Sequence, residues 1–136
     1  LEGAAVAAST GSAVLLVRPN EIPAATAAAL EDLAPSEIVI LGQTGAVSAS
    51  VANQLAGYTD GDVIRLGGAD RYQTALAVAR HFFPEGADTL YVATGANYPD
   101  ALTATPGAGI NGSPLLLVPP TGPTPELLEL IGDFAP

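Results

Sequence analysis

Five short apolar runs, spaced along the chain, place the strongest constraint on its fold. They are Val14–Val17, Ile38–Leu41, Val63–Leu66, Leu90–Ala93 and Leu115–Val118. Each run is nearly continuous instead of alternating with polar residues, which is typical of parallel strands that are buried on both faces. Helical patterns lie between them, with apolar stripes at Ile22, Ala25, Ala29, Leu30 and Leu33 and at Leu127, Leu130, Ile131 and Phe134. The alternation predicts an α/β fold, a parallel sheet with helices on both faces.

An internal repeat organises these elements along the chain. Gly11–Pro35 aligns without gaps with Gly112–Pro136 at a constant offset of 101 residues, and nine of the aligned positions are identical. The repeat predicts tandem units of about 100 residues. In this interpretation, residues 1–10 are the remnant of a preceding unit, residues 11–111 form one complete α/β repeat, and residues 112–136 begin the next.

The composition of the chain indicates a globular protein and argues against several classes of partner and chemistry. The 136 residues are 49% hydrophobic and 13% charged, which describes a globular interior. A net charge of −10 with no lysine argues against binding nucleic acid or an anionic membrane through bulk electrostatics. The strongest apolar run, Pro114–Val118, is far shorter than the roughly 18 residues of a membrane span. Because cysteine is absent, disulfides and thiolate catalysis are excluded.

Glycine-containing loops follow three of the predicted strands, where ligand sites of parallel sheets gather. One of them opens the stretch Arg65–Arg80, "RLGGADRYQTALAVAR". Asp70 and Gln73 have the spacing of a capping box, and Asn97 with Asp100 reads in a similar way. A helix start therefore accounts for much of both loops, and turn geometry accounts for Gly68. Anion binding at the helix N-termini is the functional alternative.

The two arginines of this stretch are less easily explained by helix initiation. Arg65 lies in an otherwise apolar strand, where a charge needs a partner or an edge position. Arg71 lies one residue into a helix, where it opposes the helix dipole. A salt bridge to an acidic neighbour and the capture of an anionic ligand both remain open.

Signals for catalysis are weak. His81 is the single histidine, and no G-x-S-x-G elbow occurs. Asp60 and Asp62 form a D-x-D pattern that suits a turn better than a metal site, because it precedes a strand. We therefore predict no catalytic residue, no metal and no cofactor.

Two sequence blocks resemble the cell wall-binding repeat 2 family. The R-[IL]-x-G-x-D-R-Y block is matched by Arg65, Leu66, Gly68, Asp70, Arg71 and Tyr72. The A-x-G-x-x-[YF]-[PA]-D-A-L block is matched by Ala93, Gly95, Tyr98, Pro99, Asp100, Ala101 and Leu102. The similarity covers nearly the whole chain.

The resemblance implies a non-catalytic anchor in secreted proteins of Gram-positive bacteria, located at the cell wall or cell surface. Such repeats usually occur three in tandem and pack as a pseudo-threefold trimer. The implied ligand is an anionic wall polymer of the teichoic acid type or peptidoglycan, with neighbouring repeats or a homo-oligomer as protein partners. On this basis we expect ligand contacts from Arg65, Gly68, Asp70, Arg71, Tyr72, Asn97, Tyr98 and Asp100.

Two rival hypotheses stay open. The repeats could be structural assembly modules of a surface layer without a ligand of their own. Alternatively, the chain could be a metal-dependent phosphoryl-transfer enzyme built on Glu37, Asp60 and Asp62, which would require tight binding of Mg²⁺ or Mn²⁺.

Overall fold

The computed structural model describes residues 2–134 of the chain. In chain order these residues form α1 (Glu2–Thr10), α2 (Ala24–Leu33), β1 (Ile38–Leu41), α3 (Ala49–Leu55), β2 (Val63–Leu66), α4 (Arg71–Phe82), β3 (Tyr91–Thr94), α5 (Tyr98–Ile110), β4 (Leu115–Val118) and α6 (Pro125–Phe134). A short 3-10 helix, Ala56–Tyr58, follows α3. The chain divides into two compact units: Leu15–Gly67, called here the middle unit, and the described residues on either side of it in sequence, called the flanking unit.

The middle unit is built on β1 and β2, which pair in parallel with Ile38 opposite Val63 and Leu41 opposite Leu66. Their β-branched residues favour extended backbone. Helix α3 begins after Ser48, whose hydroxyl accepts a hydrogen bond from the Val51 N–H at 3.3 Å. The core consists of Leu30, Ile40, Val47, Val51 and Leu55. Helices and strands thus share one small apolar core in this unit.

The flanking unit is built on β3 and β4, which also pair in parallel, with Tyr91 opposite Leu115. Successive residues of β4 point to opposite faces of the sheet. Leu115 and Leu117 pack in a cluster with Ala5, Ala75, Ala93, Ala101 and Ala108. Leu116 packs in a second cluster with Leu76, Ala79, Leu127 and Leu130. This sheet is therefore covered by helices on both faces.

Small residues allow α1 and α5 to lie close together in the flanking unit. A Cβ atom added at Gly109 would come within 2.6 Å of the Ala8 Cβ. A side chain at Gly109 would therefore force the helices apart. None of the helices within residues 2–134 combines the length and the apolar character that a membrane-spanning segment requires.

The structure confirms the α/β class with parallel strands, and it corrects one predicted strand. Ile38–Leu41, Val63–Leu66 and Leu115–Val118 are strands with the predicted bounds, whereas Leu90–Ala93 is displaced by one residue to Tyr91–Thr94. The predicted strand Val14–Val17 is wrong, because these residues pair with no other strand among the described residues. An apolar run has the propensity for extended backbone but needs a neighbour to supply the hydrogen bonds of a sheet.

The predicted helix starts are largely confirmed. Asp70 precedes α4, and its Oδ1 accepts from the Gln73 N–H at 2.9 Å. The Gln73 side chain reaches back to the Ala69 N–H, at 3.0 Å, instead of to Asp70. Asn97 precedes α5, although its side chain forms no capping hydrogen bond. The boundaries predicted from the repeat differ from those of the compact units and stay a prediction about the sequence.

Candidate functional site

Two loops of the flanking unit are joined by the first residues of α4. The Arg71 guanidinium donates from Nη1 to the Gly95 carbonyl oxygen at 3.0 Å. The Tyr72 ring lies so close to Gly95 that a side chain there would collide with it. We call this place, formed by Gly68–Tyr72 and Gly95–Asp100, the arginine corner. It brings the two motif blocks of the sequence into contact.

The backbone N–H groups of Gly68 and Ala69 form hydrogen bonds within the protein. The Gly68 N–H donates to the Thr74 Oγ1 at 3.1 Å, and the Ala69 N–H donates to the Gln73 Oε1 at 3.0 Å. A Cβ at Gly68 would collide with Gln73, so close approach of the loop to α4 requires glycine at this position. The backbone N–H groups of Gly68 and Ala69 are therefore already satisfied and are not donors for a ligand.

Asp70 combines a structural role with an exposed position. Its carboxylate caps α4 and lies at the positive end of the helix dipole, which stabilises a negative charge. The Asp70 residue is nevertheless exposed to solvent. The capping role explains the aspartate without any ligand.

The corner also presents exposed side chains. Arg71, Asn97, Tyr98 and Asp100 are all exposed, and the Tyr98 residue is 71% exposed. Among the side chains that the structure describes, no carboxylate lies within ion-pair distance of Arg71. Since a guanidinium has five N–H donors and Gly95 takes one, the others can bind an external acceptor.

The corner has more negative than positive side chains. Arg71 contributes one positive charge, while Asp70 and Asp100 contribute two negative charges. An anion would therefore be held by directed hydrogen bonds from Arg71 and not by a net positive field. The arrangement suits a ligand with several hydrogen-bond acceptors, and the exposed Tyr98 ring adds a flat apolar surface.

Arg65 belongs to the middle unit and has a different environment. Its Nη1 donates to the Gly42 carbonyl oxygen and its Nη2 to that of Val47, both at 2.8 Å. These two bonds tie the loop that follows β1 to β2. The charge in this strand is thus satisfied by backbone carbonyls, where the sequence suggested a carboxylate or a ligand. The other predicted site residues all belong to the flanking unit.

Gly95 is the residue that sequence reasoning left out of the site. It accepts from Arg71 and packs against Tyr72. The signal was present, because Gly95 is an element of the second motif block. Sequence alone gave no way to see that the first block binds it, since Arg71 lies 24 residues away.

Other polar groups do not assemble into a site of the predicted kinds. Glu37, Asp60 and Asp62 are exposed, and no group of three or more carboxylate or histidine side chains within residues 2–134 could hold a metal ion. An open depression of about 580 Å³ is lined by Glu85, Asp88, Thr89, Asn111 and Ser113, among others. It lies beside the residues that precede β3 and β4, away from the carboxyl ends of these strands, where the arginine corner lies.

The fold and the sequence repeat together define an α/β repeat module, and its arginine corner is exposed. A family model described as cell wall binding domain 2 (CWB2) matches residues 1–52 and 65–133. The chain belongs to this family. Membership supports a cell wall binding role and an association with the wall or the cell surface.

Relatives and a solved structure agree with the assignment. An uncharacterized protein of Pyrococcus abyssi is 34% identical over 128 residues, which is 90% of this chain and 38% of that protein. The N-acetylmuramoyl-L-alanine amidase LytC of Bacillus subtilis is 30% identical over 111 residues, 82% of this chain and 21% of the amidase. Cwp6 from Clostridium difficile has a TM-score of 0.90 at 26% identity, over 98% of this chain and 21% of that one. The chain thus spans well under half the length of these proteins.

Proposed function

We propose that the chain is a non-catalytic anchoring module that binds an anionic wall polymer or the glycan of peptidoglycan and tethers an exported protein to the wall. The observation that carries this proposal is the exposed Arg71, which donates one hydrogen bond to the Gly95 carbonyl oxygen and has no other hydrogen-bond partner among the described residues. Family membership and the similarity to part of LytC support the wall as the binding partner.

The corner is suited to binding because its central side chain is preorganised. A free arginine loses rotamer freedom when it binds, which weakens affinity by about 0.5–1.5 kcal/mol. The bond to Gly95 has already fixed part of the Arg71 side chain. Asn97, which precedes α5, and Tyr98, its first residue, add an amide and a ring, and the Asn97 side chain forms no capping bond that would compete with a ligand.

The choice between the two ligand classes depends on the local charge. An anionic polymer gains from Arg71 but is repelled by Asp70 and Asp100, unless the polymer phosphates lie nearer to the guanidinium than to the carboxylates. Screening over about 8 Å at physiological ionic strength makes such a local contact independent of the net charge of the chain. A neutral glycan escapes this repulsion.

The test is sedimentation of the purified chain with isolated bacterial walls, intact or stripped of anionic polymer by mild acid. We expect Arg71→Ala to weaken binding to intact walls by about tenfold, corresponding to the loss of one charge-assisted hydrogen bond of about 1.5 kcal/mol. Arg18→Ala is the matched control, because Arg18 is an exposed arginine that pairs with Glu21 in the middle unit.

Each outcome has a distinct meaning. Loss of wild-type binding on stripping assigns the ligand to the anionic polymer, and binding that survives assigns it to peptidoglycan. Equal binding by Arg71→Ala and Arg18→Ala would reject the arginine corner as the site. Circular dichroism of both variants checks that they are folded.

Exposed apolar residues on α5 favour a second candidate, a structural assembly module. Leu102 is 54% exposed and Ile110 is 86% exposed. Exposed apolar side chains mark a site of protein association where they form a contiguous patch. Light scattering at increasing concentration distinguishes the candidates, because assembly without any affinity for walls would support the structural module alone.

A further inference from the structure

The segment Val14–Val17 has the features of a strand but no partner among the described residues. Val14 is 54%, Leu15 36% and Leu16 80% exposed. Its repeat equivalent is β4, in which Leu115, Leu116 and Leu117 are 3%, 0% and 5% exposed. The two segments differ in only one residue, since VLLV stands where β4 has LLLV. Sequence preference therefore does not explain the difference in burial.

The chain enters both segments through the same turn. After α1, the Ser12 N–H donates to the Ala7 carbonyl oxygen at 2.9 Å, and after α5, the Ser113 N–H donates to that of Ala108 at 2.8 Å. Gly11 and Gly112 supply the left-handed residue, with φ of 69° and 58°. These residues form three pairs, each at the offset of the repeat: Ala7 with Ala108, Gly11 with Gly112 and Ser12 with Ser113. The backbone before Val14 thus has the local geometry that leads into a strand in the second copy of the repeat.

The chain also leaves both segments toward the same element. Helices α2 (Ala24–Leu33) and α6 (Pro125–Phe134) have identical bounds in the repeat register. The elements before and after the segment are therefore present in both copies. What Val14–Val17 lacks is the neighbour that β4 has.

That neighbour is β3, which begins 24 residues before β4. The Tyr91 N–H donates to the Pro114 carbonyl oxygen, and the Gly95 N–H to that of Val118, both at 3.0 Å. The corresponding acceptors in the first copy are the carbonyl groups of Ala13 and Val17. At the repeat offset, the equivalent of β3 falls ahead of Leu1.

We propose that Val14–Val17 is the acceptor edge for a parallel strand of the β3 type, contributed by a preceding repeat of the same family in a tandem array. Each repeat would then complete the sheet of the repeat before it, as Leu115–Val118 does for β3 in this chain. The expected register places the counterparts of Tyr91, Val92, Ala93 and Thr94 opposite Val14, Leu15, Leu16 and Val17, as in the pairing of β3 with β4.

The chemistry of the edge fits this occupant. The segment has neither a charge nor a proline, the usual features that block an edge strand. The Leu16 carbonyl oxygen accepts from the Thr26 hydroxyl at 2.7 Å. In extended backbone, the Leu16 carbonyl points away from those of Leu15 and Val17. This bond therefore does not compete with the proposed partner.

The test uses the full chain with a copy of residues 71–101 added before Leu1, because Leu1 corresponds to Leu102 in the repeat register. Hydrogen exchange is followed at the Leu15 and Val17 amides, the equivalents of Leu116 and Val118. We expect exchange there to slow by at least about tenfold relative to the unextended chain, since a sheet hydrogen bond opens only by local unfolding. Unchanged exchange would overturn the proposal.

A matched control identifies the cause of protection. Ala93→Pro, placed in the added copy only, removes a donor from the centre of the supplied strand. We expect this variant to exchange as fast as the unextended chain. If the proline variant were protected equally, the protection would not come from strand pairing, and the proposal would fail. Protection of the unextended chain that rises with concentration would instead identify a second copy as the occupant.

Disulfide trapping provides a second readout that does not depend on the folding of the proline variant. Since the chain has no cysteine, a designed pair reacts without background. Leu16→Cys combined with Ala93→Cys in the added copy places two thiols in register, about 4.8 Å apart between backbones. In the control pair, Leu15→Cys is combined with the same Ala93→Cys. Its two side chains point to opposite faces of the sheet. Oxidation of the second pair as fast as the first would overturn the proposed register.

Discussion

Leu115–Phe134 and Val14–Leu33 are two copies of one sequence pattern that reach different structures. Both follow a helix through the same glycine turn, and both continue into a helix with the same bounds. Leu116 in the second copy is 0% exposed, whereas its equivalent Leu15 is 36% exposed. The second copy has β3 beside it and the first has no strand beside it among the described residues. An apolar run thus becomes a strand where a partner completes its hydrogen bonds.

The helices of the two copies are adapted to different neighbours. Helix α6 buries Leu127 and Leu130 against the cluster that contains Leu116. The equivalent positions in α2 are Thr26 and Ala29, and α2 buries only Leu30. At these two positions α6, which packs against Leu116 of β4, has large side chains, and α2, which packs in the middle unit through Leu30, has small ones. The difference in packing is therefore already partly encoded in the helix residues.

The largest expected effect is the difference in stability loss between alanine variants of the equivalent residues Leu116 and Leu15. Leu116→Ala should lower the free energy of unfolding by about 3 kcal/mol, because it leaves a cavity in a fully buried cluster. Leu15→Ala should lower it by less than about 1 kcal/mol, because Leu15 is partly solvated. Urea denaturation followed by circular dichroism measures both. Equal losses would mean that the first segment is as well packed in solution as the second.

A smaller effect tests whether the two turns are equivalent. Gly11→Ala and Gly112→Ala should each lower the free energy of unfolding by about 1 kcal/mol, because both residues adopt a left-handed conformation in open space. Gly45→Ala is the control, since Gly45 has open space without a positive φ. The same denaturation measures both turn variants. A pronounced difference between their losses of unfolding free energy would mean that the two turns are not equivalent.

The smallest effect concerns the bond that is specific to the first copy. Thr26→Val should lower the free energy of unfolding by about 0.5 kcal/mol, through loss of the hydrogen bond to the Leu16 carbonyl in an exposed position. Thr26→Ser retains the hydroxyl and should stay close to the wild type. If both variants lost the same stability, the methyl group and not the hydroxyl would be responsible.

Local features of the fold could be read from the sequence, and partner-dependent features could not. Three strands were predicted to the residue, and the Asp70 cap was predicted from a spacing of three residues. Val14–Val17 was mispredicted because its sequence preference equals that of β4. Strand formation depends on a neighbour that the local sequence does not report.

The two arginines show the same division at the candidate site. Both were predicted as ligand contacts, and both donate to backbone carbonyls from distant residues. In Arg65 both terminal nitrogens donate to backbone carbonyls. In Arg71 only one terminal nitrogen does so, and the residue is exposed. Their ligand contacts stay a prediction that the wall-binding test addresses. Carbonyl acceptors carry no sequence signal, since every residue has one.

By itself, the sequence determined the family, the α/β class, the repeat and the helix starts, because apolar periodicity, capping and motif spacing act over a few residues. The tertiary structure decided which apolar run is buried, which arginine is exposed and that the two motif blocks meet at Gly95. These properties depend on groups that are far apart in the chain, and only folding brings them within hydrogen-bond or packing distance.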